Sequence, residues 1–182
     1  SDMARAWNPC RPHYSMVMES FLTLLKGKVK GSTLLGKEDI AHCWHSIRMH
    51  PDAAMRQLHL FEGTIYRILG LCFGDAGAPC QVNLFLDVIS RIARNIKIEH
   101  SRISDDFCLI QSCSLKVAQD RKSKLKKLIH GAGFIVKTKK SVGPTREDVE
   151  MTGILVSARE ASLSLSQEKI VKGLTGLNIL RK

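Results

Sequence analysis

The chain has 182 residues, 44% of them hydrophobic and 25% charged, with a formal net charge of +11. Such a length and balance fit one globular domain with a real core. No apolar run is long enough to cross a bilayer, and no basic-then-apolar leader opens the chain. The charge points to a polyanionic partner, nucleic acid ahead of a membrane surface, because no membrane-seeking amphipathic helix accompanies it. Only 5% of residues are aromatic, which favours backbone contact over base stacking.

Residues 1–12 read as a lead-in, and Ser1-Asp2-Met3 is of the kind left by a tag. Apolar spacing from Met16 to Leu25 predicts a helix that stops at Gly27, and Ser32 to Ile40 an extended segment ending in Asp39. Gln57 to Phe61 and Thr64 to Leu71 flank Glu62-Gly63 and read as a hairpin. Pro79 suits the first turn of a long helix, whose Val82, Phe85, Leu86, Ile89, Ile92, Ala93 and Ile96 form a wide buried stripe. Ile103 and Phe107 to Ile110 make a second hairpin with Asp105 and Asp106 at its tip.

A basic helix from Ser114 to Ile129 buries Leu115, Ala118, Leu125 and Leu128 while its basic residues snorkel or face water, and Gly131 and Gly133 end it. Short strands follow at Phe134 to Lys137, Val149 to Val156 and Ser162 to Leu165. A last helix starts at Gln167, within a 166–182 segment that begins a thumb-like or C-terminal helix, weakened by Gly173 and Gly176. This order suits a single α+β domain of two layers, an antiparallel ferredoxin-like sheet with helices on one face.

Six cysteines, Cys10, Cys43, Cys72, Cys80, Cys108 and Cys113, lie in apolar settings without a disulfide rhythm. They read as reduced core residues of an intracellular protein, nuclear or cytoplasmic. His42, Cys43, His45 and His50 lack a second paired half, so no zinc is expected. Asp105 and Asp106 interrupt an apolar run, and like charges side by side want a counter-ion. Ser104-Asp105-Asp106 is also good turn chemistry, whereas a divalent cation such as Mg²⁺ is held by one or two carboxylates plus substrate phosphates. The clusters Arg121 to Lys127 and Lys137 to Lys140 are either solvated faces or contacts to a nucleic-acid backbone, with Arg121, Lys122, Lys137 and Lys139 the candidates.

Asp39-Ile-Ala-His-Cys-Trp-His-Ser-Ile-Arg-Met-His-Pro51 resembles the first palm motif of retrotransposon-type reverse transcriptases, D-L-K-D-A-Y-Y-H-I-P-I-H-P. Leu71-Cys-Phe-Gly-Asp-Ala-Gly-Ala-Pro79 resembles L-P-F-G-L-x-x-A-P, and Ile103-Ser-Asp-Asp106 stands in the place of Y-x-D-D. Gly133 to Pro144 is similar to G-x-x-x-N-x-x-K-S-x-x-x-P, and Met151-Thr-Gly-Ile-Leu and Leu163-Ser-Leu-Ser-Gln-Glu-Lys169 follow in the family's order. The ordered set runs from about His13 to near the end of the chain.

The resemblance implies a palm with fingers and thumb largely lacking, and a two-metal nucleotidyl-transfer site for RNA-directed DNA synthesis with two Mg²⁺ or Mn²⁺ ions. Asp39 and Asp105 would be bridging metal ligands, Ile40 would offer its backbone carbonyl, and Asp106 would complete the catalytic carboxylates. Trp44 would face the sugar of the incoming nucleotide, Lys140 the triphosphate, and Gly77 and Ala78 would form the floor beneath. The implied partners are an RNA template with a DNA primer, and a protein or further segment that supplies fingers and thumb. Asp75 beside the template strand, Cys72 for Pro, Ile103 for Tyr, and His42 and Asn83 depart from the pattern. They keep a second reading open, a domesticated palm that persists as a nucleic-acid or protein scaffold without polymerising.

Overall fold

The computed structural model describes residues 22–172 apart from 24, 73, 75, 76 and 168. The lead-in, the start of the first helix, Cys10, Asp75, Gly173 and Gly176 lie outside the described residues. Residues 22–23 and 25–28 are helical, so that helix runs through Gly27 instead of stopping there. Strand β1 (Leu34–Ala41) follows, then two four-residue helices, α1 (Cys43–Ser46) and α2 (Pro51–Ala54), and the hairpin of β2 (Leu58–Phe61) and β3 (Thr64–Arg67). Next come α3 (Ala78–Asn95), the hairpin of β4 (His100–Ile103) and β5 (Asp106–Gln111), α4 (Leu115–Gly131), β6 (Ile135–Val136) and a 3₁₀ turn (Thr138–Lys140). Strands β7 (Val142–Thr145), β8 (Val149–Met151), β9 (Ile154–Ser157) and β10 (Ser162–Leu165) complete the described sheets.

The architecture is mixed α+β. The main sheet is antiparallel in the order β4-β5-β1-β6, with β7 also on β1; β8 to β10 form a second sheet, and β2-β3 a third. Side chains of β1 and β5 alternate between two faces. On one face Ile40, Phe107 and Leu109 pack with Val82, Leu86, Ile89 and Ala93 of α3 and Leu125 and Ile129 of α4. On the other, Leu35, Cys108 and Ile110 pack with Leu25, Val29 and the Val149, Met151, Ile154 and Val156 side chains of the second sheet. The two long helices thus cover one face as expected, while the end of the first helix and the second sheet lie on the opposite face.

Local chemistry sets several boundaries. Glu62 and Gly63 both take positive φ, 48° and 76°, as a tight two-residue hairpin turn requires. Beyond Arg67 the chain leaves β2, and Leu69 and Leu71 bond instead to Met49 and Ile47. The predicted long strand is therefore cut to four residues. Ser114 caps α4, accepting from Val117 N–H at 3.5 Å. The expected strand Val149 to Val156 is two strands folded at Thr152-Gly153, where φ is 54° and 84°.

Both long helices correct the predicted stripes. In α3 the seam against the sheet is Val82, Leu86, Ile89 and Ala93, while Phe85, Ile92 and Ile96 lie beside it and are exposed. In α4 the same spacing of four, three and four gives Ala118, Lys122, Leu125 and Ile129; Leu115, in the first turn, is exposed and Leu128 only half-buried. A lysine occupies a core position. No helix among the described residues is long and apolar enough to cross a membrane.

Candidate active site

Antiparallel pairing sets Asp39 on β1 directly opposite Asp106 on β5. Directly opposed residues share a face, so both carboxylates leave the sheet on the side of Leu35 and Cys108, away from α3 and α4. Asp105 lies in the turn before β5, after Ser104 at φ 50°. Its carbonyl accepts the Ile40 N–H at 3.3 Å, which ties the turn to the end of β1. Of the two aspartates expected at the hairpin tip, Asp105 is there and Asp106 is the first residue of the strand.

Like charges held opposite each other are unfavourable without compensation, and three lysines supply it. Lys137 Nζ donates to Asp39 Oδ1 at 2.6 Å, Lys140 Nζ lies 3.2 Å from Asp39 Oδ2, and Lys37 Nζ lies 3.3 Å from Asp106 Oδ2. The Lys137 backbone N–H donates to the Asp39 carbonyl at 2.8 Å, so the segment after β6 is pinned to β1. The hydrogen bond to Asp39 holds the Lys137 ammonium above its usual value, so it stays charged at neutral pH. Burial pushes the Asp106 carboxyl up, Lys37 opposes this, and Asp39 and Asp105 add to it. Asp106 Oδ1 is buried without a hydrogen-bond partner among the described residues. The neighbouring thiols of Cys43 and Cys108 are pushed up to about 12, first by burial and then by Asp105 and Asp106 respectively, so neither is a nucleophile at neutral pH.

The donor set suits a hard divalent cation in kind. Carboxylate oxygens are the ligands such ions take, Asp106 Oδ1 has no partner among the described residues, and ammonium groups already stand as counter-cations. Among the described residues, however, no group of three or more His, Cys, Asp or Glu is arranged to hold a metal ion. A cation on Asp39 has to displace Lys137 and Lys140.

The other expected site residues are more scattered. Ile40 is buried on the helix side. Trp44, on α1, is half-buried against the same core. Gly77 precedes α3 and Ala78 opens it, fully buried. Lys139 is exposed on the 3₁₀ turn. Arg121 Nη1 donates to Gln111 Oε1 at 2.9 Å. Lys122 Nζ meets Glu38 Oε1 at 3.1 Å and the carbonyls of Val142 and Gly143 at 2.8 and 2.5 Å, which leaves no N–H for a phosphate. Lys37 is the site residue that the motifs do not mark, although it lies two residues before Asp39 and so on the same face.

No protein-family model matches the chain, and no curated protein sequence does. Solved structures do. A foamy viral protease-reverse transcriptase in complex with an RNA/DNA hybrid superposes with a TM-score of 0.66 at 20% identity, over 79% of this chain and 19% of that one. A foamy viral protease-reverse transcriptase in complex with double-stranded DNA gives 0.67 at 21% identity, over 81% and 24%. The native prototype foamy virus enzyme gives 0.55 at 19% identity, over 70% and 16%. The fold is reverse-transcriptase-like. The chain spans under a quarter of the length of each of these proteins. Within the reverse-transcriptase-like fold, the two lysines on Asp39 come from the exposed segment after β6, whereas Lys37 belongs to the sheet itself.

Proposed function

We propose that this chain is the palm of a retrotransposon-type RNA-directed DNA polymerase, with Asp39, Asp105 and Asp106 as the carboxylates of a two-metal nucleotidyl-transfer site. The observation that carries this reading is the in-register pair Asp39 and Asp106, with the Asp105 turn bonded to Ile40 beside it. Bound Mg²⁺ or Mn²⁺ supplies charge neutralisation and activation of a primer hydroxyl. The chain's own part is to hold the carboxylates on one face, with the Ile40 carbonyl beside them, and to release Lys137 and Lys140 toward the phosphates of an incoming nucleotide. Gly77, Ala78 and Trp44 shape the nucleotide's surroundings, and Lys139 and Arg121 meet the nucleic-acid backbone. Template and primer are the expected partners; two of the superposed foamy viral proteins are in complex with an RNA/DNA hybrid or with double-stranded DNA, which supports that choice. Fingers and thumb come from further chain or from a partner.

Primer extension on the longest form of the protein, with Mg²⁺ and with Mn²⁺, tests the reading against an Asp105→Asn/Asp106→Asn control. Extension that the control loses supports it, and no extension with either ion refutes it. One observation favours a second reading, a palm kept as a nucleic-acid scaffold without synthesis: both oxygens of Asp39 are already compensated by lysine. Calorimetric titration with Mn²⁺ tests the carboxylate site apart from synthesis: binding that Asp39→Asn abolishes supports a metal site in either reading, and no such binding leaves only a scaffold whose aspartates are inherited without metal.

A further inference from the structure

Strand β4 is the outer strand of the main sheet, and among the described residues it pairs with β5 alone. The Glu99 carbonyl accepts the Ile110 N–H at 3.2 Å. Antiparallel alternation from that bond makes Ser101 and Ile103 the residues bonded inward and turns the backbone N–H and C=O of His100 and Arg102 outward. An unpaired edge is a template for an added strand unless something blunts it, and this one is recessed, with His100 5% and Ser101 9% accessible at the floor of a cleft. That cleft, of about 380 Å³, is lined by Lys28, Asp87, Arg94, Lys97 and Glu99 together with β4 itself. Asp87 is spent on Arg102 at 2.5 Å. Lys28, Arg94 and Lys97 are exposed and make no ion pair within 4.0 Å among the described residues. The edge therefore offers alternating donors and acceptors inside a positive field.

We propose that β4 receives an acidic, extended segment of a protein partner as an added strand, independently of the metal chemistry on the opposite side of the β4-β5 turn. Strand addition draws its affinity from main-chain hydrogen bonds, and an extended peptide brings backbone N–H groups at the strand repeat for the outward carbonyls of His100 and Arg102. Phosphates of a nucleic acid match the three cations but offer those carbonyls nothing except further acceptors. A basic peptide satisfies the carbonyls and leaves the cations uncompensated. The chain's own residues 1–21 contain Asp2 and Glu19 against Arg5 and Arg11, so they carry no net negative charge to bring here.

The test uses the whole chain with three probes: an acetylated peptide of alternating Glu and Val, the same peptide with Lys for Glu, and a single-stranded oligonucleotide. Amide hydrogen exchange should slow about tenfold or more at His100 and Arg102 with the acidic peptide, and not with the Lys peptide. Arg94→Glu, in the last turn of α3, with Lys97→Glu, in the turn that follows it, should weaken acidic-peptide binding about tenfold or more. N-methylating the peptide on its edge-facing nitrogens should abolish it. The proposal is overturned if N-methylation changes nothing, which is plain charge attraction, or if the oligonucleotide protects the same amides better than the peptide. It is equally overturned if His100 and Arg102 are already protected in the free chain, because the edge is then covered by the chain itself.

Discussion

Glu38 and Asp39 are neighbours on β1 that point to opposite faces, and each carboxylate is met by lysines, yet the two arrangements behave differently. Glu38 is fully buried on the helix side, with Lys122 at 3.1 Å, Lys126 at 3.5 Å and the Ser141 hydroxyl donating at 3.0 Å. Lys122 is fixed at its far side by the carbonyls of Val142 and Gly143. Gly143 fits there because it has φ 71° and no Cβ, which would run into the Leu35 carbonyl. The lysines on Asp39 instead come from an exposed segment, with side chains 35% and 61% accessible, although Asp39 itself is 6% accessible. A counter-charge anchored on both sides belongs to the fold. One carried on an exposed arm is exchangeable, and only the second leaves a site for chemistry.

The comparison breaks most visibly at the buried pair. Lys122→Met leaves the buried Glu38 carboxylate with only the more distant Lys126 and the Ser141 hydroxyl and should destabilise the chain by about 3 kcal/mol, read from the denaturant midpoint; a loss below about 1 kcal/mol would mean that the pair is not structural. Glu38→Leu together with Lys122→Met should recover most of that loss, because the unpaired charge is gone. Next in size, Lys137→Ala with Lys140→Ala should cost about 1 to 2 kcal/mol, less than the buried pair because the two lysines are exposed, though Asp39 itself is not. The same variant should bind Mn²⁺ about tenfold more tightly, since two competing cations have left Asp39. Unchanged Mn²⁺ affinity would show that the lysines do not compete.

The smallest effect concerns Asp106. Because burial raises its carboxyl, the folded state favours the protonated form over the range between the ordinary aspartate value, about 3.9, and the raised one. The stability that this group contributes is therefore greatest below the ordinary value and falls as pH rises through the folded-state value. Asp106→Asn removes the fall. It should raise the melting temperature slightly at neutral pH, by less than about 1 kcal/mol of stability, with the advantage over the unmodified chain vanishing on acidification. An equal advantage at all pH values would assign the effect to packing.

How much of this was readable from residues alone depends on the partner involved. The Glu62-Gly63 turn, the Pro79 start of α3 and the Ser114 cap of α4 are local signals, and the elements that follow them begin where expected, though β3 ends early at Arg67. The helices α1 and α2 have four residues each, too few for a period to show. Lys122 looks like part of a solvated basic face until Glu38 is known to lie opposite, and that knowledge comes from packing α4 on β1. Phe85, Ile92 and Ile96 match the apolar period of α3, but the width of the seam is set by the sheet and not by the helix. For the site, the motif order marks the three aspartates. It does not mark Lys37, because its approach to Asp106 depends on the β1-β5 register that places Lys37 opposite Cys108 and Asp39 opposite Asp106.

The β2-β3 hairpin has a consequence of a different kind. All eight strand residues are exposed, including Leu58, Leu60, Phe61, Ile65 and Tyr66, and among the described residues the two strands pair only with each other. Two strands alone are marginal in water, so this arm opens without disturbing either packed cluster. A protease added to the native protein should therefore nick it at Glu62-Gly63 before cutting elsewhere in residues 25–165, and the nicked chain should keep its cooperative melting. The same turn is the place where a foreign loop or reporter can be spliced into the chain at least cost to the rest.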